Sequence, residues 1–204
     1  MADEKLDTQT RRKQIAQAAL ELVAGQGLAR LSVAAVARRV GLVPSGVYRH
    51  FKNKDQIIDA VLELLESRLL AIVRAACEKS ESPLERLRAV LMNHVRFIRQ
   101  GRAIPRMIFS DDLLSRAPQR RRQILRILVG YLGQVRRIVE AGQRQGQICR
   151  RLDPETVAMM LFGVVVPAGI RWHLTDGGFD VTRHAVRSWR VLRAAIATAA
   201  RDEG

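Results

Sequence analysis

Apolar residues recur three and four positions apart along almost all of this 204-residue chain, and this spacing limits what the chain can fold into. Side chains with such spacing share one face of an α-helix. No segment alternates convincingly between apolar and polar residues, as a half-buried strand does. The sequence therefore predicts an all-α fold. The first helix, over residues 11–26, illustrates the pattern with Ile15, Ala18, Ala19, Leu22 and Val23 on one face.

Capping residues, prolines and glycines divide the chain into about nine predicted helices, which begin near residues 11, 33, 44, 53, 83, 105, 118, 154 and 180. Ser32 stands where an N-cap belongs, Gly41 follows the end of the second helix, and Pro44 suits the first position of the third, which we expect to reach His50. We expect Gly142 and Gly146 to break the long helix that starts near residue 118.

Charge and cysteine content narrow the class of protein. The chain has 35 basic and 20 acidic residues, a net charge of +15 that attracts polyanions such as nucleic acid. Cys77 and Cys149 are too few and too far apart for a disulfide framework or a zinc site, which favours a reducing cytosol. The longest uncharged apolar stretch, residues 157–170, is interrupted by Pro167 and is shorter than the roughly 20 residues of a membrane span. We therefore expect a cytoplasmic protein with no membrane partner, no metal and no cofactor.

The first three predicted helices form a compact unit whose second and third members are separated by a tight turn at Gly41. This is the outline of a helix-turn-helix. More specific are the string from Gly41 to Asp55, GLVPSGVYRHFKNKD, and the preceding LSVAAVA from Leu31 to Ala37. Both closely resemble the TetR family of bacterial repressors, whose recognition helix ends in Tyr-x-His-Phe-x-x-Lys. The string GQICRRLDPE from Gly146 to Glu155 also resembles the family.

The resemblance implies which residues meet DNA. Residues 43–50 are expected to face the major groove, Tyr48 and Lys54 to contact phosphates, and the Ser32 cap to present backbone N–H groups to another phosphate. Val43 stands where the family usually has a Ser or Thr cap, so base contacts cannot be copied directly. For Tyr48 and His50, the alternative to DNA contact is a role in packing. For Lys52 and Lys54, the alternative is a solvated loop that does not contact DNA. The predicted DNA-binding set is Ser32, Val43, Pro44, Ser45, Gly46, Tyr48, Arg49, His50, Lys52 and Lys54.

The resemblance also implies a division of the chain. We expect a disordered tail over residues 1–9, a DNA-binding domain over 10–56, and an effector-binding and dimerisation domain over 57–204, with the helix from about residue 53 linking the two domains. Large apolar side chains on the last two helices suit a contact between two chains, and small residues there allow the helix backbones to approach closely. The same residues also suit the core of a single chain. The predicted homodimer interface is Leu161, Val165, Ala168, Gly169, Trp172, Trp189, Leu192 and Ile196.

A small, largely apolar effector is expected among the helices between residues 83 and 174. Methionine and aromatic side chains provide an adaptable lining, and His94 or Tyr131 suits a polar group of the ligand. Each of these residues is also compatible with ordinary core packing. The predicted effector set is Met92, His94, Phe97, Met107, Phe109, Tyr131, Met159, Met160 and Phe162.

Three further functions compete with a ligand-released repressor of a pseudo-palindromic duplex operator. An enzyme is disfavoured, because no HExxH, GxSxG, GxGxxG or Walker motif occurs in the sequence. An effector-independent architectural or division-control protein on the same fold stays open, and so does a membrane-surface protein that uses its arginine-rich faces. The basic run Arg116, Arg120, Arg121, Arg122 and Arg126 is interpreted as a solvated helix face, with a second anion site as the alternative.

Overall fold

The computed structural model describes residues 7–100 and 118–198, and within these ranges the fold is all-α. The predicted helix over residues 105–114 lies outside them. A 3₁₀ turn, Leu28–Arg30, follows the first helix, and Ile148 and Ala197 form an isolated antiparallel bridge. The described helices are α1 Thr8–Gln26, α2 Val33–Arg39, α3 Pro44–Tyr48, α4 Lys54–Lys79, α5 Pro83–Gln100, α6 Pro118–Arg144, α7 Pro154–Leu174 and α8 Val181–Ile196.

The chain divides into two compact units. Of the described residues, 7–67 and 118–125 belong to the first unit, and 68–100 and 126–198 belong to the second. The boundary falls within two helices, because α4 and α6 each contribute residues to both units.

The first unit is built on α1, α2, α3 and the first half of α4. Its core residues include Ile15, Val36 and Val47, which are fully buried. Asp7 caps α1 by accepting hydrogen bonds from the backbone N–H groups of Gln9 and Thr10, so α1 starts at Thr8. The predicted disordered tail over residues 1–9 is wrong at residues 8 and 9, because the Asp7 cap places both of them in α1.

In the second unit α5, α7 and α8 pack on one another. The chain after α6 reaches the end of α8, where the backbone N–H of Cys149 donates to the Ile196 carbonyl at 2.9 Å and that of Thr198 donates to Gln147 at 3.1 Å. Asp153 caps α7 and Asp180 caps α8, each at the position expected from the sequence. The core of this unit includes Leu91, Val135 and Leu161.

One helix among the described residues, α7, is long and apolar enough by length and composition to cross a membrane. The expectation of a stretch too short to span is therefore wrong. Pro167 lies inside α7 without ending it, and the helix extends over 21 residues. This helix packs against α5 and α8 and buries Leu161 and Val165, and 33% of its most apolar 18-residue window is buried.

Gly142 does not break α6, contrary to the expectation. The helix continues to Arg144, and Gly146, with φ +72°, supplies the left-handed residue after it. Gly142 is instead a site of close packing. A Cβ added there lies 2.5 Å from Cδ1 of Ile148 and 3.2 Å from Cβ of Pro83. Ile148 is fully buried and cannot swing aside into solvent.

This packing predicts that Gly142→Ala destabilises the chain by about 1–3 kcal/mol, because an extra methyl group must displace a buried side chain. Urea unfolding measures the change. Gly130→Ala is the matched control on the same helix, since nothing lies within 4 Å of its added Cβ, and it should stabilise by roughly 0.5–1 kcal/mol. Equal effects of the two substitutions contradict the packing argument.

Candidate functional site

The turn between α2 and α3 has the geometry of a helix-turn-helix. Ser32 caps α2 by accepting a hydrogen bond from the Ala35 backbone N–H at 3.1 Å. Gly41 takes a φ of +71°, which favours glycine, and the backbone N–H of Leu42 donates to the Ala37 carbonyl at 2.9 Å. Pro44 occupies the first turn of α3, where no backbone donor is needed. The sequence predicts each of these features, although α3 ends at Tyr48 rather than at His50.

Only one side of α3 is buried. Val47 is inaccessible to solvent, whereas Val43 is 66% exposed and Tyr48 is 52% exposed. Gly46 and His50 are half-buried, and the hypothetical Cβ of Gly46 lies 3.5 Å from Leu42. The remaining exposed members of the predicted DNA-binding set are Ser32, Pro44, Ser45, Arg49 and Lys52.

The segment that joins α3 to α4 is held by a reciprocal cap. The Asn53 side chain accepts from the Gln56 backbone N–H at 3.0 Å, and the Gln56 side chain accepts from the Lys52 backbone N–H at 2.8 Å. The Lys52 side chain stays exposed. Lys54 is half-buried and its ammonium donates to the Leu28 carbonyl at 3.2 Å, so this lysine also has a structural role.

Arg12 is a residue of this site that the sequence analysis misses. Its guanidinium donates to the His50 carbonyl and lies over the Phe51 ring, 4.2 Å from the ring centroid. It thereby ties α1 to the end of the recognition segment. The available signal is weak: Arg12 precedes the buried Ile15 by three residues and so shares its helix face. A cleft of about 500 Å³ opens here, lined by residues that include Arg12, Tyr48, Arg49 and Lys52.

Arg120 is a second residue whose role the sequence analysis does not identify. Its side chain is 12% exposed and donates to Asp55 in the first turn of α4, with Asp59 one turn further along. Arg120 is therefore not part of a solvated face, and the interpretation of the basic run as a solvated face is wrong at this residue. Arg121, Arg122 and Arg126 are exposed, and Arg116 lies outside the described residues.

Four members of the predicted effector set form one aromatic cluster in the second unit: His94, Phe97, Tyr131 and Phe162. Nδ1 of His94 lies 3.0 Å from the Tyr131 hydroxyl, and the ring centroids of contacting pairs are 5.5–6.2 Å apart. Burial lowers the pKa of His94 to about 4 and raises the pKa of the Tyr131 hydroxyl. Both side chains are therefore uncharged at neutral pH.

The other predicted effector residues are not in this cluster. Met159 and Met160 are each 50% exposed on α7, in a helical phase that differs from that of the buried Leu161 and Val165. Met92 is half-buried on α5. Met107 and Phe109 lie outside the described residues.

The predicted dimer-interface residues lie mostly inside one chain. Trp172 is half-buried and packs over Gly177. The other seven are buried within the single chain and so do not lie on its surface; they are Leu161, Val165, Ala168, Gly169, Trp189, Leu192 and Ile196. The apolar residues that α7 does expose are Met159, Met160, Gly163, Pro167 and Leu174.

Within residues 7–100 and 118–198, no group of three His, Cys, Asp or Glu residues is arranged to hold a metal ion. The described residues instead include an exposed face of α3 beside basic side chains and, in the second unit, the buried pair His94 and Tyr131.

Comparison with known proteins agrees with this geometry. The family model described as "Bacterial regulatory proteins, tetR family" matches residues 15–61, and that described as "Tetracyclin repressor-like, C-terminal domain" matches residues 80–196. The nucleoid occlusion factor SlmA of Vibrio vulnificus is 25% identical over 188 residues, which cover 91% of this chain and 95% of that protein.

Two solved structures share the fold. FadR of Bacillus subtilis, in complex with stearoyl-CoA, has a TM-score of 0.77 and 23% identity over 90% of this chain and 98% of that one. The complex of SmeT with triclosan has a TM-score of 0.77 and 21% identity over 93% of each chain; SmeT is the repressor of a multidrug efflux pump of Stenotrophomonas maltophilia. With a tetR-family helix-turn-helix at its start and a repressor-like domain over more than half its length, the chain belongs to the TetR family of DNA-binding transcriptional regulators, a family of regulators and not of enzymes.

Proposed function

We propose that the chain is a repressor that binds a pseudo-palindromic DNA operator as a homodimer in the cytoplasm and is released by a small, largely apolar effector. The exposed face of α3 carries the proposal. A short helix that buries Val47 while leaving Val43, Ser45 and Tyr48 open is suited to enter the major groove.

The residues around α3 divide by chemistry into two groups. Pro44, Ser45 and Arg49 lie on or next to the exposed face, where side chains read base edges. Tyr48, Lys52 and the capped N-terminus of α2 at Ser32 offer donors to phosphate oxygens, which fix the register of the protein on DNA without reading its sequence. The net charge of +15 favours the same polyanionic partner.

A homodimer supplies two such helices to two half-sites. We place its interface on the exposed apolar residues of α7, with Met160, Gly163 and Pro167 along one helical stripe. This helix is apolar on the side that faces its own core and also on the opposite side. A helix with two apolar sides is expected where one packs in the chain and the other in an oligomer.

The effector is proposed to bind at the aromatic cluster. Because His94 and Tyr131 are uncharged there, the pair suits a hydroxyl or carbonyl group on an apolar molecule rather than an ionised group. The structural relatives hold ligands with large apolar parts, stearoyl-CoA in FadR and triclosan in SmeT. Release from DNA follows if the effector favours a chain conformation that binds the operator less well.

A second candidate function is an effector-independent DNA-binding protein of the nucleoid. Similarity to the nucleoid occlusion factor over 91% of the chain favours it, and so does an aromatic cluster whose own rings are in mutual contact. The two functions differ in one measurable respect. Only the ligand-responsive repressor binds operator less tightly when the aromatic cluster is occupied, and by linkage it binds ligand less tightly on operator.

For DNA binding, we expect Lys52→Ala to weaken binding to every duplex alike and to make the slope of log K against log salt shallower by about 1 per chain. Arg49→Ala should instead cost roughly 1–3 kcal/mol on the preferred duplex and relax preference at one position. Fluorescence anisotropy at several salt concentrations measures both. Lys52 is preferred to Lys54 for this test because Lys54 also bonds to Leu28. Loss of sequence preference in Lys52→Ala contradicts the assignment.

For the dimer, Met160→Arg should shift the chain from dimer to monomer, because like charges meet across the two-fold axis of an apolar contact. Sedimentation velocity measures the change. Leu125→Arg is the control, since Leu125 is a comparably exposed apolar residue on another helix. If Met160→Arg stays as dimeric as the wild type, the interface lies elsewhere.

For the buried pair, acid should destabilise the wild type more than it destabilises His94→Gln. The unfolded chain takes up a proton at His94 below its ordinary pKa of 6.5, whereas the folded chain does so only near pH 4. Stability contributed by His94 is therefore present above pH 6.5 and is lost toward pH 4, by up to about 3 kcal/mol. Urea unfolding between pH 7 and pH 4 measures the loss, with His173→Gln as the control for the substitution itself. Parallel pH profiles of the wild type and His94→Gln rule the argument out.

A further inference from the structure

We infer that Arg120 is a positioning residue for DNA binding, which acts by neutralising two carboxylates on the first two turns of α4, close in sequence to the proposed phosphate contact Lys52. The inference rests on the proposed DNA interface. It concerns the start of α6 and the first two turns of α4, all within the first unit.

The Arg120 side chain contacts two residues of α4. Nη2 of Arg120 donates to Oδ1 of Asp55, and Nε lies 3.6 Å from Oδ1 of Asp59 without forming a hydrogen bond to it. Asp55 and Asp59 are four residues apart and so share one face of the helix. One guanidinium thus serves two carboxylates.

The contact between Arg120 and Asp55 affects DNA binding because of where Asp55 lies. Asp55 follows Lys54 directly, lies in the first turn of α4, and is 69% exposed. A DNA phosphate that approaches Lys52 and the N-terminus of α4 meets this carboxylate as a like charge. Without Arg120, the carboxylates of Asp55 and Asp59 are left unneutralised near the proposed phosphate contact at Lys52, and their repulsion of DNA phosphates weakens binding to any sequence.

Arg120 is itself badly placed to bind a phosphate. Its side chain is largely buried, and its nitrogen atoms face Asp55 and Asp59. Arg121 is exposed on the same turn of α6. If the basic run acted only by adding positive charge, Arg121 would contribute at least as much as Arg120. The contrast between these neighbours separates the two explanations.

The experiment compares Arg120→Met, Asp55→Asn/Asp59→Asn, the triple variant that combines all three changes, and Arg121→Met as the matched control. Affinity is measured as a function of salt on a duplex selected with the wild-type chain, and thermal unfolding of each variant is followed in parallel. We expect Arg120→Met to weaken binding by roughly tenfold, a middle value for coupled charges in contact. We expect Arg121→Met to have a much smaller effect.

The triple variant is decisive. Because the carboxylates are gone, it should bind within about threefold of the wild type although it lacks Arg120, and the double Asn variant should bind at least as well as the wild type. If the triple variant stays as weak as Arg120→Met, and the salt slope is shallower by about 1 per chain, Arg120 contacts phosphate directly and the inference is wrong.

Equal binding by Arg120→Met and the wild type also overturns the inference. If Arg120→Met does not fold, the triple variant, which leaves no unpaired carboxylate, supplies the same test. Failure of the wild type to select any duplex is a different result, because it contradicts the proposed function rather than the role of Arg120.

Discussion

Burial of Val47 against the rest of the first unit is the contact on which DNA recognition depends. α3 has five residues, too few to form a stable helix in isolation, so its conformation is supplied by packing and by the residues around it. Val47 is buried, whereas Tyr48, the next residue of the helix, and Val43, the extended residue before it, are exposed. Arg12 stabilises the other end of the segment through the His50 carbonyl and the Phe51 ring. The exposed face that we assign to DNA is thus a consequence of a small apolar core.

The second unit combines an uncharged polar pair with a helix that is apolar on two sides. His94 and Tyr131 satisfy each other inside an aromatic cluster, and this lets a histidine stay buried without a charge. Helices α4 and α6 each have residues in both units, and Tyr131 and Arg120 are on the same helix.

Much of this architecture can be predicted from the sequence because its signals are local. Ser32, Gly41, Pro44, Asp153 and Asp180 mark helix ends through the conformations and donors that those ends require. Ser32, Gly41 and Pro44 give the outline of the helix-turn-helix, and the strings around them give its resemblance to the TetR family.

The remaining features depend on contacts between distant segments. Arg12 contacts His50, which is 38 residues away in the sequence, and Arg120 contacts Asp55, which is 65 residues away. No local residue spacing predicts either contact. Gly142 reads as a helix breaker until Ile148 is seen beside it. The sequence favours the larger apolar residues of α7 as a dimer interface. Packing within one chain instead buries Leu161 and Val165 and leaves Met160 exposed to solvent.

Selection of duplexes from random sequence by the purified chain tests the central claim most directly. Two α3 helices in a symmetric dimer should enrich an inverted repeat whose half-sites are centred about one helical turn of DNA, or a multiple of it, apart, with two or more chains bound per duplex. Enrichment of an asymmetric site by a single chain contradicts the account, and so does binding that is equally tight to unselected DNA.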